Sequence, residues 1–192
     1  MKRILSTLVI GGLAASLLVA MPADKNQAQL SGSVMVGGMA MYRTKNIVEN
    51  AVNSKDHTTL VAAVKAAGLV DTLAGKGPFT VFAPTNAAFN MLPMGTVDSL
   101  LKPEMKDNLT KVLTYHVVAG KWSSAAIKKL IMKGDGTATF TTVSGGKLWA
   151  MMNGPTNIVI KDEMGGIANV STYDVMQSNG VIHVVDHVLM PN

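Results

Sequence analysis

The residues best suited to chemistry are histidines in the second half of the chain. His183 and His187 lie four residues apart in the run Val181–Val188, with Asp186 between them. On a helix this spacing would place both imidazoles on one face, where they could bind zinc. The run is rich in β-branched residues and therefore predicts a strand, in which residues four apart are separated by roughly 13 Å. That distance is too long for two ligands of one metal ion.

Alternation along the same predicted strand separates the aspartate from the histidines. His183 and His187 share one face, and Asp186 lies on the other. A His–Asp dyad within this strand is therefore not expected.

His116 lies in a second predicted strand, Thr114–Val118, from which it could approach His183 across a sheet. The favoured interpretation is structural, with a ring N–H bound to a buried carbonyl or hydroxyl. Such a pair would make folding sensitive to pH near the unperturbed histidine pKa of about 6.5. A metal-binding or catalytic role is the alternative.

Methionine is unusually frequent, with 14 residues in the chain. Thioethers are soft ligands that suit Cu(I), but methionine is also an adaptable filler of apolar cores. We expect most of these side chains on core faces, with copper binding as the alternative. The clusters are Met35, Met39 and Met41, then Met91 and Met94, then Met151 and Met152.

The motifs of several enzyme classes are missing. The chain contains no Gly-x-Ser-x-Gly elbow, no phosphate-binding loop and no His-Glu-x-x-His. The sequence therefore predicts no catalytic, cofactor-binding or metal-binding residue, and no enzyme.

The first half of the domain has a helical pattern of apolar residues. Asp56 or Thr58 is the expected cap of one helix, which ends at Gly68. Gly75-Lys76-Gly77-Pro78 stops the helical pattern, and Phe79–Ala83 reads as a buried strand. Pro84-Thr85-Asn86 is expected to cap a further helix, as is Ser123 or Ser124.

The second half changes to strand periodicity. Short strands are predicted at 137–143, 147–152, 157–160, 167–173 and 181–188, with glycine-containing turns between them. Asn179-Gly180 is expected to be a tight turn at residues that tolerate a positive φ. Helices followed by a run of strands predict an α+β domain.

The N-terminus resembles an export signal. Lys2 and Arg3 precede the uncharged apolar run Ile4–Ala20, and small residues follow. We expect a signal peptide over 1–23, a Gly/Met-rich lead-in linker over 24–45 and one domain over 46–191. Part of the lead-in, Val34–Met41, is apolar enough to pack on that domain. No further membrane span is expected after cleavage.

Composition narrows the possible partners. The chain has no cysteine, so neither a disulfide nor a thiolate metal site can form. Its formal net charge is +5, but the lysines are scattered, with no arginine-rich run and no interleaved aromatics. Nucleic-acid binding, which needs a clustered basic face, is not expected.

Three ordered segments stand out in the chain: Gly77–Phe89, Leu113–Gly120 and Ser178–Pro191. Together they resemble the fasciclin-type adhesion domain. The resemblance implies an α+β fold, a β-wedge of two sheets with short helices packed at one side. It also implies fold-stabilising roles for His116, His183 and Asp186. Position 187 departs from the family, which often has lysine or another polar residue there.

The resemblance further implies a non-catalytic binding module, secreted to the periplasm or beyond the cell. We expect it to mediate adhesion or attachment to a surface protein or polysaccharide of the envelope or matrix. The alternative is a periplasmic ligand-binding or stress-related protein without an adhesive role. Leu92–Leu101 and Met151–Pro155 are the segments that could expose an apolar contact surface.

Overall fold

The computed structural model describes residues 33–192, in which most of the helices precede most of the strands. A small hairpin comes first, formed by β1 (Val34–Val36) and β2 (Met39–Met41). The helices are α1 (Ile47–Ala51), α2 (Thr58–Ala67), α3 (Val70–Ala74), α4 (Asn86–Asn90), α5 (Thr96–Leu100), α6 (Lys106–Tyr115) and α7 (Ser124–Lys133). The remaining strands are β3 (Phe79–Pro84), β4 (Val117–Ala119), β5 (Thr137–Thr141), β6 (Lys147–Asn153), β7 (Asn157–Lys161), β8 (Ile167–Gln177) and β9 (Gly180–Val185).

Local sequence signals set several helix ends. Thr85 caps α4 by accepting a hydrogen bond from the Ala88 amide at 3.3 Å, and Ser123 caps α7 in the same way. Gly68 ends α2 in the left-handed conformation, with φ 73°. These predicted ends are confirmed.

The predicted cap of α2 is wrong. Neither Asp56 nor Thr58 caps this helix; instead the Thr59 amide donates to Oδ1 of Asn86, at 3.0 Å. The amide group of Asn86 donates in turn to the carbonyl of Lys55 at 2.9 Å. Because the cap comes from the first turn of α4, it also ties the two helices together.

Seven strands form one sheet, in the order β4-β3-β9-β8-β7-β6-β5. Strands β3 and β9 run parallel, and all other neighbours are antiparallel. The two ends of the sheet meet, since the Val143 amide donates to the carbonyl of Val117 at 2.8 Å. The expected α+β class is confirmed, with a sheet that nearly closes into a barrel.

The long strand β8 pairs with two different neighbours along its length. Residues 167–169 pair with β7, whereas residues 170–177 pair with β9. Two register shifts interrupt the second ladder, and Asp174, within the second of them, has a φ of 55°. Such bulges bend a strand, which lets β8 pair with both β7 and β9.

Strand alternation divides the interior into two cores. Val81 and Ala83 of β3 face a core shared with helices α1 to α6, whereas Phe82 faces a second core, covered by α7. Strand β9 divides in the same way, with Ile182 in the first core and Val185 in the second. Both faces of the central strands are buried, which explains their continuous apolar sequence.

Part of the predicted lead-in linker is folded onto the domain. Residues 34–41 form the β1–β2 hairpin, and Val36 and Met41 are buried in the first core. The hairpin is fixed to α1 by two hydrogen bonds. The Tyr42 amide donates to Oδ1 of Asn50 at 2.9 Å, and the side-chain amide of Asn50 donates to the Tyr42 carbonyl at 2.8 Å. The predicted signal peptide, 1–23, lies outside the described residues. Among the described helices, none is long and apolar enough to cross a membrane.

The turn at Asn179-Gly180 differs from the prediction, because neither residue has a positive φ. Asn179 is buried, and its side chain accepts from the Ile47 amide and donates to the carbonyls of Leu73 and Gly75. A Cβ on Gly180 would collide with the carbonyl oxygen of Phe79. The two residues therefore serve close packing between β3, β9 and the helices, and not turn conformation.

Candidate functional site

His116 is positioned by a helix end and not by a strand, which corrects the prediction for Thr114–Val118. Helix α6 continues to Tyr115 because Leu109, Val112 and Leu113 bury one of its faces, and His116 is its C-cap. The imidazole Nδ1 lies 2.8 Å from the carbonyl of Val112, and Nε2 accepts from the Leu189 amide at 2.9 Å. These partners place the ring proton on Nδ1.

His183 lies on β9, is fully buried, and has the opposite tautomer. Its Nδ1 accepts from the Asp174 amide at 3.4 Å, so the proton lies on Nε2, which donates to the carbonyl of Trp122 at 2.8 Å. The ring also stacks on Phe82, with 5.8 Å between the centroids. His183 thereby joins β9 to the bulge of β8 and to the segment that enters α7.

The two buried histidines do not form a pair across the sheet. Both ring nitrogens of each histidine are hydrogen-bonded to separate backbone partners. In the sheet, β3 lies between β4, which follows His116, and β9, which carries His183. Burial lowers the pKa of both imidazoles, that of His116 to about 4, against weaker opposing effects of Val112 and Trp122. Neutral rings with both nitrogens bonded are neither free bases nor free ligands, and each ring N–H donates to a backbone carbonyl, as the structural interpretation predicts.

Asp186 and His187 form the pair that strand alternation argued against. Strand β9 ends at Val185, so the two side chains no longer alternate, and Nδ1 of His187 lies 2.8 Å from Oδ1 of Asp186. The carboxylate also accepts from the backbone and side-chain nitrogens of Asn169, at 2.7 and 2.8 Å. Burial alone would raise the pKa of Asp186, but the hydrogen bonds from His187 and Asn169 lower it overall. Asp186 thus fastens the end of β9 to β8.

Sequence reasoning missed a fourth histidine. His57 ends the 3-10 turn before α2 and is buried, with only 3% of its surface exposed. Its Nδ1 lies 2.8 Å from the hydroxyl of Ser54. A Ser-x-x-His spacing ahead of an amphipathic helix is a weak local signal and does not by itself predict a buried histidine.

The described residues hold no cluster of three or more His, Asp or Glu side chains that could bind a metal ion. The methionines are less buried than expected. Met41 alone among those after residue 33 is fully buried, Met152 packs against the second core, and several are exposed, which corrects the prediction that most lie on core faces. The exposed ones are Met35, Met39, Met91, Met94, Met132 and Met164.

The two predicted contact segments differ in what they expose. In Leu92–Leu101, Met94 is fully exposed and Met91 precedes it in solvent, while Leu92 and Val97 pack against the first core. Gly95, with φ 81°, turns the chain directly after Met94. In Met151–Pro155 both methionines are only partly exposed. The first segment therefore presents two exposed methionines beside residues that pack on the core.

Comparison with known proteins agrees with this architecture. A family model described as the fasciclin domain matches residues 55–191. Protein sll1483 of Synechocystis is 44% identical over 161 residues, which is 83% of this chain and 81% of that protein. The cell surface glycolipoprotein MPB83 of Mycobacterium bovis is 37% identical over 167 residues, covering 84% of this chain and 66% of that protein.

A solved structure shows the same fold. The FAS1 domain pair of the insect cell adhesion molecule fasciclin I superposes with a TM-score of 0.67 at 17% identity. The match covers 76% of this chain and 51% of that two-domain chain.

Proposed function

The chain belongs to the fasciclin domain family, and on that premise we propose that it is a non-catalytic attachment module that acts outside the cytoplasm. The partner class is a protein or polysaccharide of the envelope or matrix. The observation that carries the proposal is the apolar surface at Met91 and Met94, held in solvent by neighbours that are anchored in the core. Exposed apolar patches are typical of contact surfaces.

Two observations support location and absence of catalysis. A relative that is 37% identical is named a cell surface glycolipoprotein, and the N-terminal sequence has the three parts of a secretory signal. His116 and His183, the residues most suited to catalysis, use both ring nitrogens within the fold.

The test is attachment of a deletion strain to an abiotic or polysaccharide-coated surface, complemented with wild type or with the double variant M91S/M94S. Serine at both positions removes the apolar contact, so we expect several-fold weaker attachment than with wild type. The matched control M132S/M164S changes two exposed methionines elsewhere and should restore attachment fully. Undiminished attachment of the deletion strain would exclude an adhesive role.

Location is tested on the same strain. N-terminal sequencing of the mature protein from periplasmic and culture fractions should begin after Ala23. Recovery of the uncleaved chain in the cytoplasm would contradict export.

Ligand binding is a second candidate function, and one observation favours it. The first core contains a cavity whose lining is almost entirely apolar, beside the buried His57.

A further inference from the structure

The cavity lies between the helices and one face of the central strands, and its volume is about 60 Å³. Val64 and Leu73 line it from the helical side, and Val81 and Ile182 line it from the sheet. The hairpin contributes Val36 and Met41 as its cover. All of these side chains are apolar, so the space favours an apolar occupant.

One polar atom in this lining lacks a partner. Nε2 of His57 is the single buried side-chain nitrogen or oxygen without a hydrogen bond among the described residues. Of the other polar side chains in the lining, Ser54 bonds to Nδ1 of His57, His116 bonds to its two backbone partners, and Lys65 is exposed to solvent. The carbonyl of Ala83 acts on the His57 ring as a backbone acceptor that raises its pKa, but the contact lies outside normal hydrogen-bond geometry. Buried polar atoms are rarely left in this state, so Nε2 marks a place for a ligand.

The Ser54–His57 pair can present either a donor or an acceptor at Nε2. If the serine hydroxyl donates to Nδ1, Nε2 carries the proton; if the hydroxyl accepts, Nε2 is a free acceptor. Burial lowers the pKa of His57, more than Ala83 and Asp56 raise it, so the ring is neutral. A neutral ring in a largely apolar space suits an uncharged hydroxyl or carbonyl, because burying a charge is costly and the one charged residue of the lining, Lys65, is exposed to solvent.

Water alone is a poor occupant. A buried water molecule usually makes about three hydrogen bonds, and this cavity offers one free nitrogen among apolar side chains. A molecule with one polar group and an aliphatic remainder satisfies both the nitrogen and the lining.

The cover of the cavity comes from outside the matched family region, residues 55–191. Gly37, at the turn of the hairpin with φ 58°, abuts Ser54, since an added Cβ would lie 2.6 Å from its hydroxyl oxygen. The turn of the hairpin therefore touches the residue that hydrogen-bonds to Nδ1 of His57.

We propose that this cavity binds a short uncharged alcohol or ketone, whose oxygen hydrogen-bonds to Nε2 of His57 while its aliphatic part contacts the apolar lining. This inference is independent of the attachment function.

The test compares 1-propanol with xenon, which enters apolar cavities but forms no hydrogen bond. Binding is measured on the purified protein by NMR, from saturable shifts of the His57 ring and of the Val64 and Ile182 methyl signals. We expect H57L to weaken 1-propanol binding at least tenfold while xenon binding persists, which would show that the cavity itself is intact. V64F, which fills the cavity, should abolish both, and the exposed control V52F should abolish neither.

Several outcomes would overturn the proposal. The first is the absence of a saturable shift at propanol concentrations up to about 1 M. The second is equal propanol affinity in wild type and H57L, and the third is equal propanol affinity in wild type and V64F. A water signal at His57 that propanol does not displace would show a hydrated cavity and would also count against it. If H57L fails to fold, the comparison of wild type with V64F decides alone.

Discussion

Nε2 of His116 accepts a hydrogen bond from the backbone amide of Leu189 at 2.9 Å, which fixes the segment after the last strand to the end of α6. The bond exists only while Nε2 is unprotonated. The same is true of Nδ1 in His183, which accepts from the Asp174 amide. Two backbone contacts of the fold therefore depend on neutral imidazoles.

We predict that stability falls as the pH decreases from 6.5 towards 4. The pKa of His116 is about 4 in the folded protein, below the unfolded value, so the unfolded chain binds protons first. This stabilisation is complete above pH 6.5, and about 3 kcal/mol of it is lost by pH 4. Burial lowers the pKa of His57 and His183 as well, so they act in the same direction. Urea unfolding from pH 7.5 to 4.5 measures the slope.

The variant that tests this prediction is H116Q, which should be less stable than wild type at pH 7.5 and have a shallower slope. An unchanged slope in H116Q would mean that another group controls the acid transition.

Asn179→Ala should destabilise the fold by about 2–4 kcal/mol, because three buried backbone groups lose their partner. These are the Ile47 amide at 3.0 Å and the carbonyls of Leu73 and Gly75, each at 2.8 Å. The matched control is Asn153→Ala at an exposed hairpin end, with an expected change below about 0.5 kcal/mol. Thermal unfolding compares the two variants, and similar melting temperatures would refute the proposed contribution of Asn179.

Gly77→Ala should be far more damaging than Gly145→Ala. Both glycines have a positive φ, so both variants carry the same kind of backbone strain. A Cβ on Gly77 would also collide with the Asn179 carbonyl oxygen, which accepts from the Phe79 amide, whereas Gly145 has no atom within 4 Å of that position. We expect a difference of about 3 kcal/mol in the free energy of unfolding. Chemical denaturation measures it, and equal losses would contradict the steric argument.

Tyr115→Phe should cost about 1–3 kcal/mol, because the hydroxyl bridges two backbone groups. It donates to the carbonyl of Lys147 at 2.7 Å and accepts from the Glu163 amide at 2.9 Å. Burial is the main cause that raises the pKa of Tyr115 to about 12, so the phenol stays protonated in ordinary buffers. Tyr42→Phe is the control, since that side chain acts through its ring, 5.3 Å from the Lys45 ammonium. Denaturant midpoints of both variants test the prediction, and a loss no larger than in the control would contradict it.

Local patterns predicted what local contacts determine. Thr85 and Ser123 cap helices through hydrogen bonds that span three residues, and the continuous apolar runs of β3 and β9 follow from burial on both faces. Two of the misses depend on distant partners. Asn86 caps α2 from another helix, and α6 extends through Tyr115 because the core buries it, despite the β-branched residues that follow.

The candidate sites show the same division. The structural character of His116 and His183 was predictable, but their partners were not, since Leu189 and Trp122 are distant in sequence. The pairing of Asp186 with His187 was missed because the strand was predicted to continue past Val185. His57 acquires its significance only from a cavity assembled by separate elements.

The parallel pairing of β3 with β9, from Phe79–Gly180 to Pro84–Val185, has a consequence for biosynthesis. Strand β9 follows all the other described strands along the chain, so its pairing with β3 has a large sequence separation and forms slowly. A nascent chain cannot join β3 to β8 before residues 180–185 have been translated. Until then neither core can be completed, because Ile182 belongs to the first core and Val185 to the second.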